Sequence, residues 1–209
     1  MVDKPHQNCP KVVSRRSPCC DRLQTMPSHI YISALIYLLA ATPLAADPLH
    51  DELSGLRISS YRAPVPETVP GGQTIDLGKL VALRDEGAML IDVMGAPGHQ
   101  IRKDGSWVIA TPHRTIPGAI WLPETGHGRL EAKIEDYLDI ALADCPKTRA
   151  IVVFCRSDCW MSWNAVQHIS KLEFTNISWF PGGLDEWIDA QQSTENATPH
   201  TGSVCRSAK

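Results

Sequence analysis

Apolar positions recur along this chain with two alternating periods. Leu77, Leu80, Val81 and Leu83 fall on one face of a helix predicted over 76–86, opened by the capping side chain of Asp76 and stopped by Gly87. Residues 88–94 then form a short apolar run broken only by Asp92, the pattern of a strand buried on both faces. A second short strand is expected over 119–122. An amphipathic helix follows over 130–143, with Ile134, Leu138 and Leu142 among its apolar positions. The strongest strand signal lies over 149–154, β-branched and unbroken. A helix over 161–172, a strand over 176–180 and a helix over 184–192 complete the series. Strands separated by helices predict an α/β fold, a central, mostly parallel sheet with helices on both faces.

The segments between and beyond these elements read differently. Residues 95–117 hold three prolines, three glycines and the Trp107-Val-Ile stretch, which predicts a long irregular loop with a small hairpin. Residues 47–72 have four prolines and no sustained period, so a mostly extended arm is expected there. Residues 193–209 are polar and read as a flexible tail, which leaves 73–192 as the domain.

Near the N-terminus, residues 30–41 read IYISALIYLLAA. A membrane-spanning helix needs roughly 20 apolar residues, so this run suits a secretory h-region better than a bilayer span. Cleavage is expected after Ala46, with Ala45 as the alternative, and Met26 is a second plausible start. Residues 1–46 therefore read as an extension plus signal peptide, and the expected location is the periplasm, with no stable membrane span after cleavage.

Composition adds little until it is divided. The 209 residues are 43% hydrophobic and 21% charged, which fits a globular protein. The first 25 residues carry Lys4, Lys11, Arg15, Arg16 and Arg22 against Asp3 and Asp21, so the formal net charge of −3 conceals a body near −6. An acidic body argues against nucleic acid as a partner. Of seven cysteines, Cys9, Cys19 and Cys20 precede the cleavage point, leaving Cys145, Cys155, Cys159 and Cys205. Four cysteines in an oxidising compartment permit two disulfides in three pairings, one of which, Cys145 with Cys205, would tie the tail to the body.

Cys155 carries the chemistry. It follows the strongest strand and precedes a helix, so turn N–H groups and the positive end of the helix macrodipole favour its thiolate, the nucleophilic form. Arg156 adds positive potential. Cys159, four residues on, is placed to resolve a persulfide or to close a disulfide, provided the two Cα atoms come within roughly 7 Å. Two thiolates with a nearby histidine would also suit Cu(I) or zinc, and His99, His113 and His127 are the candidates, each more readily read as a surface residue; His168 reads as packing or solvent-facing. Trp163, Trp179 and Trp187 read as core aromatics, and Trp160 and Trp121 as pocket walls.

The run Ile151-Val-Val-Phe-Cys155-Arg156-Ser157, followed by a helix and by Phe180-Pro-Gly-Gly183-Leu-Asp-Glu-Trp187, resembles the second half of a rhodanese domain. Leu90-Ile-Asp92-Val and Ile116-Pro117-Gly118-Ala119-Ile120 resemble its first half, so the likeness spans residues 74–190. Cys155-Arg-Ser-Asp-Cys159-Trp160-Met161-Ser162-Trp163-Asn164-Ala165 and the phrase from Ile116 to Pro123 are similar to one subfamily, the exported PQQ-dependent catabolism-associated CXXCW motif proteins. The resemblance implies a Cys155 persulfide that takes sulfane sulfur from a small donor and hands it to a thiol acceptor. It also implies a quinoprotein alcohol dehydrogenase as partner, with no cofactor and no metal in the domain itself. Arg156, Ser157, Asp158, Trp160 and Arg114 are then the expected substrate contacts, and Asp92 is expected to fix its loop by hydrogen bonds. Rhodanese loops commonly hold Gly three residues after the cysteine and a basic residue near the loop end. Asp158 and Trp160 stand there instead, so Asp158 is expected to oppose thiosulfate and Arg114 to replace the missing cation. A thiol–disulfide or metal-binding accessory role is the alternative.

Overall fold

Each helix and strand read from the pattern is present, to within three residues at either end. The computed structural model describes residues 48–205, so the signal segment expected in 1–46 lies outside the described residues. In chain order the elements are β1 (Gln73–Thr74), α1 (Leu77–Asp85), β2 (Met89–Asp92), β3 (Gln100–Ile101), β4 (Trp107–Val108), β5 (His113–Thr115), β6 (Ile120–Trp121), α2 (Ala132–Leu142), β7 (Ile151–Phe154), α3 (Trp160–Lys171), β8 (Ile177–Phe180), α4 (Gly183–Asp189) and β9 (Glu195–Ala197). Asp76 caps α1 as its residue type predicts, accepting from the Lys79 N–H at 2.8 Å. Among the described residues no helix is long and apolar enough to cross a membrane.

Five strands form one parallel sheet in the order β1-β8-β7-β2-β6. Side chains alternate between its faces, and both faces are covered. Met89, Ile91, Ile151, Val153 and Trp179 pack against Leu138 and Leu142 of α2 and Ala165 and Ile169 of α3. Leu90, Val152, Phe154 and Phe180 pack against Leu80 of α1 and Leu184 and Trp187 of α4. Each fully buried aliphatic or aromatic side chain here contributes about 1.5–3 kcal/mol.

The strand order positions the site. From β2 the chain moves outward to β6, whereas from β7 it moves the opposite way to β8. The connections leaving the carboxyl ends of these two adjacent strands therefore diverge and leave a crevice, where doubly wound sheets bind their ligands. Asp92 pairs in register with Phe154, and just beyond this pair Met94 and Cys155 come together at the crevice, their sulfurs 3.6 Å apart.

The arm and the tail depart from expectation. The arm is extended but closely held: Leu56 and Val69 are buried, and Asn164 of α3 clamps it by accepting from the Arg57 N–H (3.0 Å) and donating to the Arg57 carbonyl (2.8 Å). The tail is not free through residue 205. Its strand β9 pairs antiparallel with β5, the Val204 N–H donates to the Ala141 carbonyl, and Cys205 is disulfide-bonded to Cys145 across a Cα separation of 5.1 Å. Backbone hydrogen bonds to an open strand hold it, and side-chain polarity does not report those. The expected hairpin in 95–117 is the β3–β4 pair.

Candidate active site at the cysteine loop

Cys155 leaves the end of β7 fully buried and is disulfide-bonded to Cys159, the residue before α3, with Cα atoms 6.2 Å apart. The loop between them is fixed from three sides. Ser157 Oγ donates to the Gly182 carbonyl (2.7 Å), and the Leu184 N–H donates to the Cys155 carbonyl (2.9 Å). Gly183 lies at φ +56°, and a Cβ there would meet Arg156 Cα at 2.7 Å and Cys155 O at 2.8 Å. Only glycine lets the β8–α4 turn approach the loop this closely. On the third side the arm runs antiparallel to the loop: the Trp160 N–H donates to the Tyr61 carbonyl (2.9 Å) and the Ala63 N–H to the Asp158 carbonyl (3.0 Å).

A cavity of about 210 Å³ opens beside the disulfide, lined by Cys155, Cys159, Met94, Met161, Arg156 and, from the arm, Tyr61 and Arg62. Met94 Sδ lies 3.6 Å from Cys155 Sγ and 3.4 Å from Arg156 Nε. A second cavity of about 290 Å³ shares Met94 and Arg156 and is walled by Trp121 and His113. Arg156 thus faces both, and the other arginine lining the cysteine cavity, Arg62, is ion-paired with Asp185 at 3.4 Å.

Behind the site, Asp92 is completely buried and accepts three hydrogen bonds: from the Met94 N–H (2.9 Å), from Thr115 Oγ1 (2.6 Å) and from His113 Nε2 (2.7 Å). It ties the loop after β2 to β5, the positioning role its strand-end location suggests. Glu124 does the same for the far wall, accepting from the Ala96 N–H and lying 2.7 Å from His127 Nε2. Burial works to raise the Glu124 pKa. The hydrogen bonds from His127 and Ala96, with the charge of His127 and His99, offset this and hold the carboxyl below its ordinary value.

Several expected contacts are placed elsewhere. Arg114 does not reach the loop; its guanidinium donates to Thr194 Oγ1 (2.7 Å) and Asn196 Oδ1 (3.1 Å) on the tail. The arginine that lines both cavities is Arg156. Asp158 is exposed, adopts φ +53°, the left-handed conformation that Gly would favour, and is not among the residues lining the cavity it was expected to oppose. Trp160 does not line the cysteine cavity. Its indole N–H donates to the Pro64 carbonyl (3.1 Å), and its ring meets His50 and lies beneath the Arg57 guanidinium, so it anchors the arm. Trp163, read as core, likewise donates to the arm at Thr68 O (3.0 Å). Trp121 is a wall of the second cavity, as read. The three candidate histidines are engaged away from the cysteines, with Ala96, Asp92 and Glu124, and His168 packs against the His127 carbonyl (2.8 Å).

Met94, Met161, Arg62 and Tyr61 were not singled out by sequence. A signal existed for Met94, which closes the apolar run 88–94 just as Cys155 follows the run 149–154. For the arm residues no local pattern exists.

The chain resembles the solution structure of a rhodanese-like domain from Anabaena sp. (22% identity, 65% of this chain and 91% of that one, TM-score 0.41). It also resembles the polysulfide-sulfur transferase homodimer from Wolinella succinogenes (14% identity, 60% and 79%, TM-score 0.39). A third likeness is to thiosulfate sulfurtransferase from Pseudomonas aeruginosa (17% identity, 63% and 21%, TM-score 0.37). No curated protein matches the chain. The sequence pattern of the rhodanese-like domain matches residues 76–190, more than half of the chain, from the cap of α1 to the end of α4. The chain belongs to the rhodanese-like domain family.

Proposed function

We propose that the protein is a sulfur-transfer protein in which Cys155 carries sulfane sulfur and Cys159 resolves it. The observation that carries this reading is the Cys155–Cys159 disulfide at the strand-order switch point, opening on a cavity lined by two arginines. In the reduced protein the Cys155 thiolate attacks the outer sulfur of a hydropersulfide donor. A Cys155 persulfide forms and the donor leaves as its thiolate. Either an acceptor thiolate takes the outer sulfur, or the Cys159 thiolate attacks Cys155 Sγ, closing the disulfide and expelling hydrosulfide. In the second route the sulfane sulfur is reduced and the two cysteines are oxidised by the same two electrons, so no other oxidant is needed.

The arm favours persulfide or polysulfide donors over thiosulfate. The Trp160 N–H at the start of α3 donates to Tyr61, so this donor is not available to an oxyanion in the loop. The two disulfides suit an oxidising compartment, which supports periplasmic action after export. Likeness to the CXXCW subfamily is the ground for proposing work beside a quinoprotein alcohol dehydrogenase.

A second reading, a thiol–disulfide couple without sulfur transfer, is favoured by the closed disulfide alone. Cyanide-extractable sulfur separates the two. The reduced Cys159→Ser variant, which cannot expel the sulfur, yields about one thiocyanate per chain on the first reading after incubation with glutathione persulfide and desalting, lost when Cys155→Ser is added. No thiocyanate from the reduced Cys159→Ser variant refutes it.

A further inference from the structure

Two thioethers at this site have no task in sulfur transfer. Of the three methionines among the described residues, Met94 and Met161 both line the cysteine cavity. Met94 Sδ is 3.6 Å from Cys155 Sγ, and Met161 Sδ reaches toward Gly95, where an added Cβ would meet it at 3.6 Å. With the two cysteines this gathers four sulfur atoms around one small space.

Thiolate sulfur binds d10 ions at about 2.3 Å, which sets sulfur–sulfur edges of about 3.8–4.0 Å in a trigonal or tetrahedral shell. The Met94–Cys155 separation is already near that edge, and a Cα separation of 6.2 Å lets the two cysteine sulfurs part to it once their bond is broken. Thioethers are soft donors that suit copper(I) and add little for zinc. The donors zinc would want are turned away: among the described residues no group of three or more His, Cys, Asp or Glu converges. Two thiolates around a monovalent cation leave one negative charge, and Arg156, its Nε 3.4 Å from Met94 Sδ, lines the same cavity.

We propose that, with its disulfide reduced, this site binds one copper(I) ion through Cys155, Cys159 and Met94, with Met161 as fourth donor. An external dithiol supplies the two electrons and two protons that open the disulfide, becoming a disulfide itself. Copper(I) then displaces both thiol protons without changing oxidation state. The occupant is distinct from the sulfane sulfur proposed above and excludes it, since both use Cys155.

The test is anaerobic titration of copper(I), against a coloured copper(I) chelator, into the phosphine-reduced full chain carrying Cys9→Ser, Cys19→Ser and Cys20→Ser and never exposed to a sulfur donor. Phosphine also opens the Cys145–Cys205 disulfide, so the readout is the equivalent that depends on Cys155: the expected result is one equivalent more than Cys155→Ser retains, weakened at least tenfold in Met94→Leu. X-ray absorption should give a shell of sulfur only. Met94→Leu preserves volume, and far-ultraviolet circular dichroism verifies its fold. Unchanged affinity in a Met94→Leu/Met161→Leu double variant, a shell containing nitrogen or oxygen, or equal retention of zinc overturns the proposal. None of these outcomes bears on whether Cys155 forms a persulfide.

Discussion

Replacing Asn164 should release the arm from the cysteine loop, and the structure sets the size of the effect. The Asn164 side chain is wholly buried and makes three hydrogen bonds: from the Arg57 N–H, to the Arg57 carbonyl and to the Gly126 carbonyl at 2.9 Å. A buried hydrogen bond contributes about 0.5–1.5 kcal/mol net, and a partner left buried and unpaired costs about 1–3 kcal/mol. The arm can lift and let water reach Arg57, whereas Gly126, packed against Met161, cannot. Asn164→Ala should therefore cost about 2–4 kcal/mol, measured by urea unfolding of the oxidised protein. Limited proteolysis should then cut within residues 48–68, and dithiothreitol should open the Cys155–Cys159 bond faster. Trp163→Phe, which loses one bond to the arm, should cost about 1 kcal/mol or less. A change within about 0.5 kcal/mol for Asn164→Ala, with the arm still resistant, would refute the clamp.

Three further outcomes are expected. Cys205→Ser opens a disulfide of sequence separation 60, for which chain entropy gives about 4 kcal/mol, so calorimetry should find a Tm lower by about 8–16 °C. Burial lowers the pKa of His168. The unfolded chain therefore binds the proton first, and stability is complete above about pH 6.5 and lost as pH falls through that window. Urea midpoints between about pH 5 and 7 should flatten in His168→Gln. Gly183→Ala forces a Cβ into the Cys155 carbonyl, so sulfur loading of Cys155 should fall while far-ultraviolet circular dichroism is retained; unaltered loading would show that the turn does not position the loop.

The elements that bury whole runs of side chains were legible in the sequence. The unbroken 149–154 run became β7, the Asp76 cap opened α1, and Asp92 at the end of β2 holds its loop as its position suggested. What periodicity could not carry was pairing between distant backbone segments. Strand β1 is two residues long, and β9 is polar and becomes a strand only because β5 offers it an edge. The same blindness reversed the reading of Trp160 and Arg114. Both are polar-tipped side chains whose partners, the arm and the tail, lie roughly a hundred residues away in sequence. Asp158 reads by its charge as a cavity residue, whereas in the fold it takes the left-handed turn position of the loop, exposed and outside the cavity lining.

The central claim, that Cys155 takes up sulfur and Cys159 resolves it, is tested most directly by intact mass. Reduced protein is mixed with a hydropersulfide donor and quenched by acid over time. The account predicts a species one sulfur heavier that decays to the Cys155–Cys159 disulfide as hydrosulfide is released. In Cys159→Ser the heavier species should persist, and in Cys155→Ser it should not form. A heavier species in Cys155→Ser, or equal decay with and without Cys159, would contradict the account.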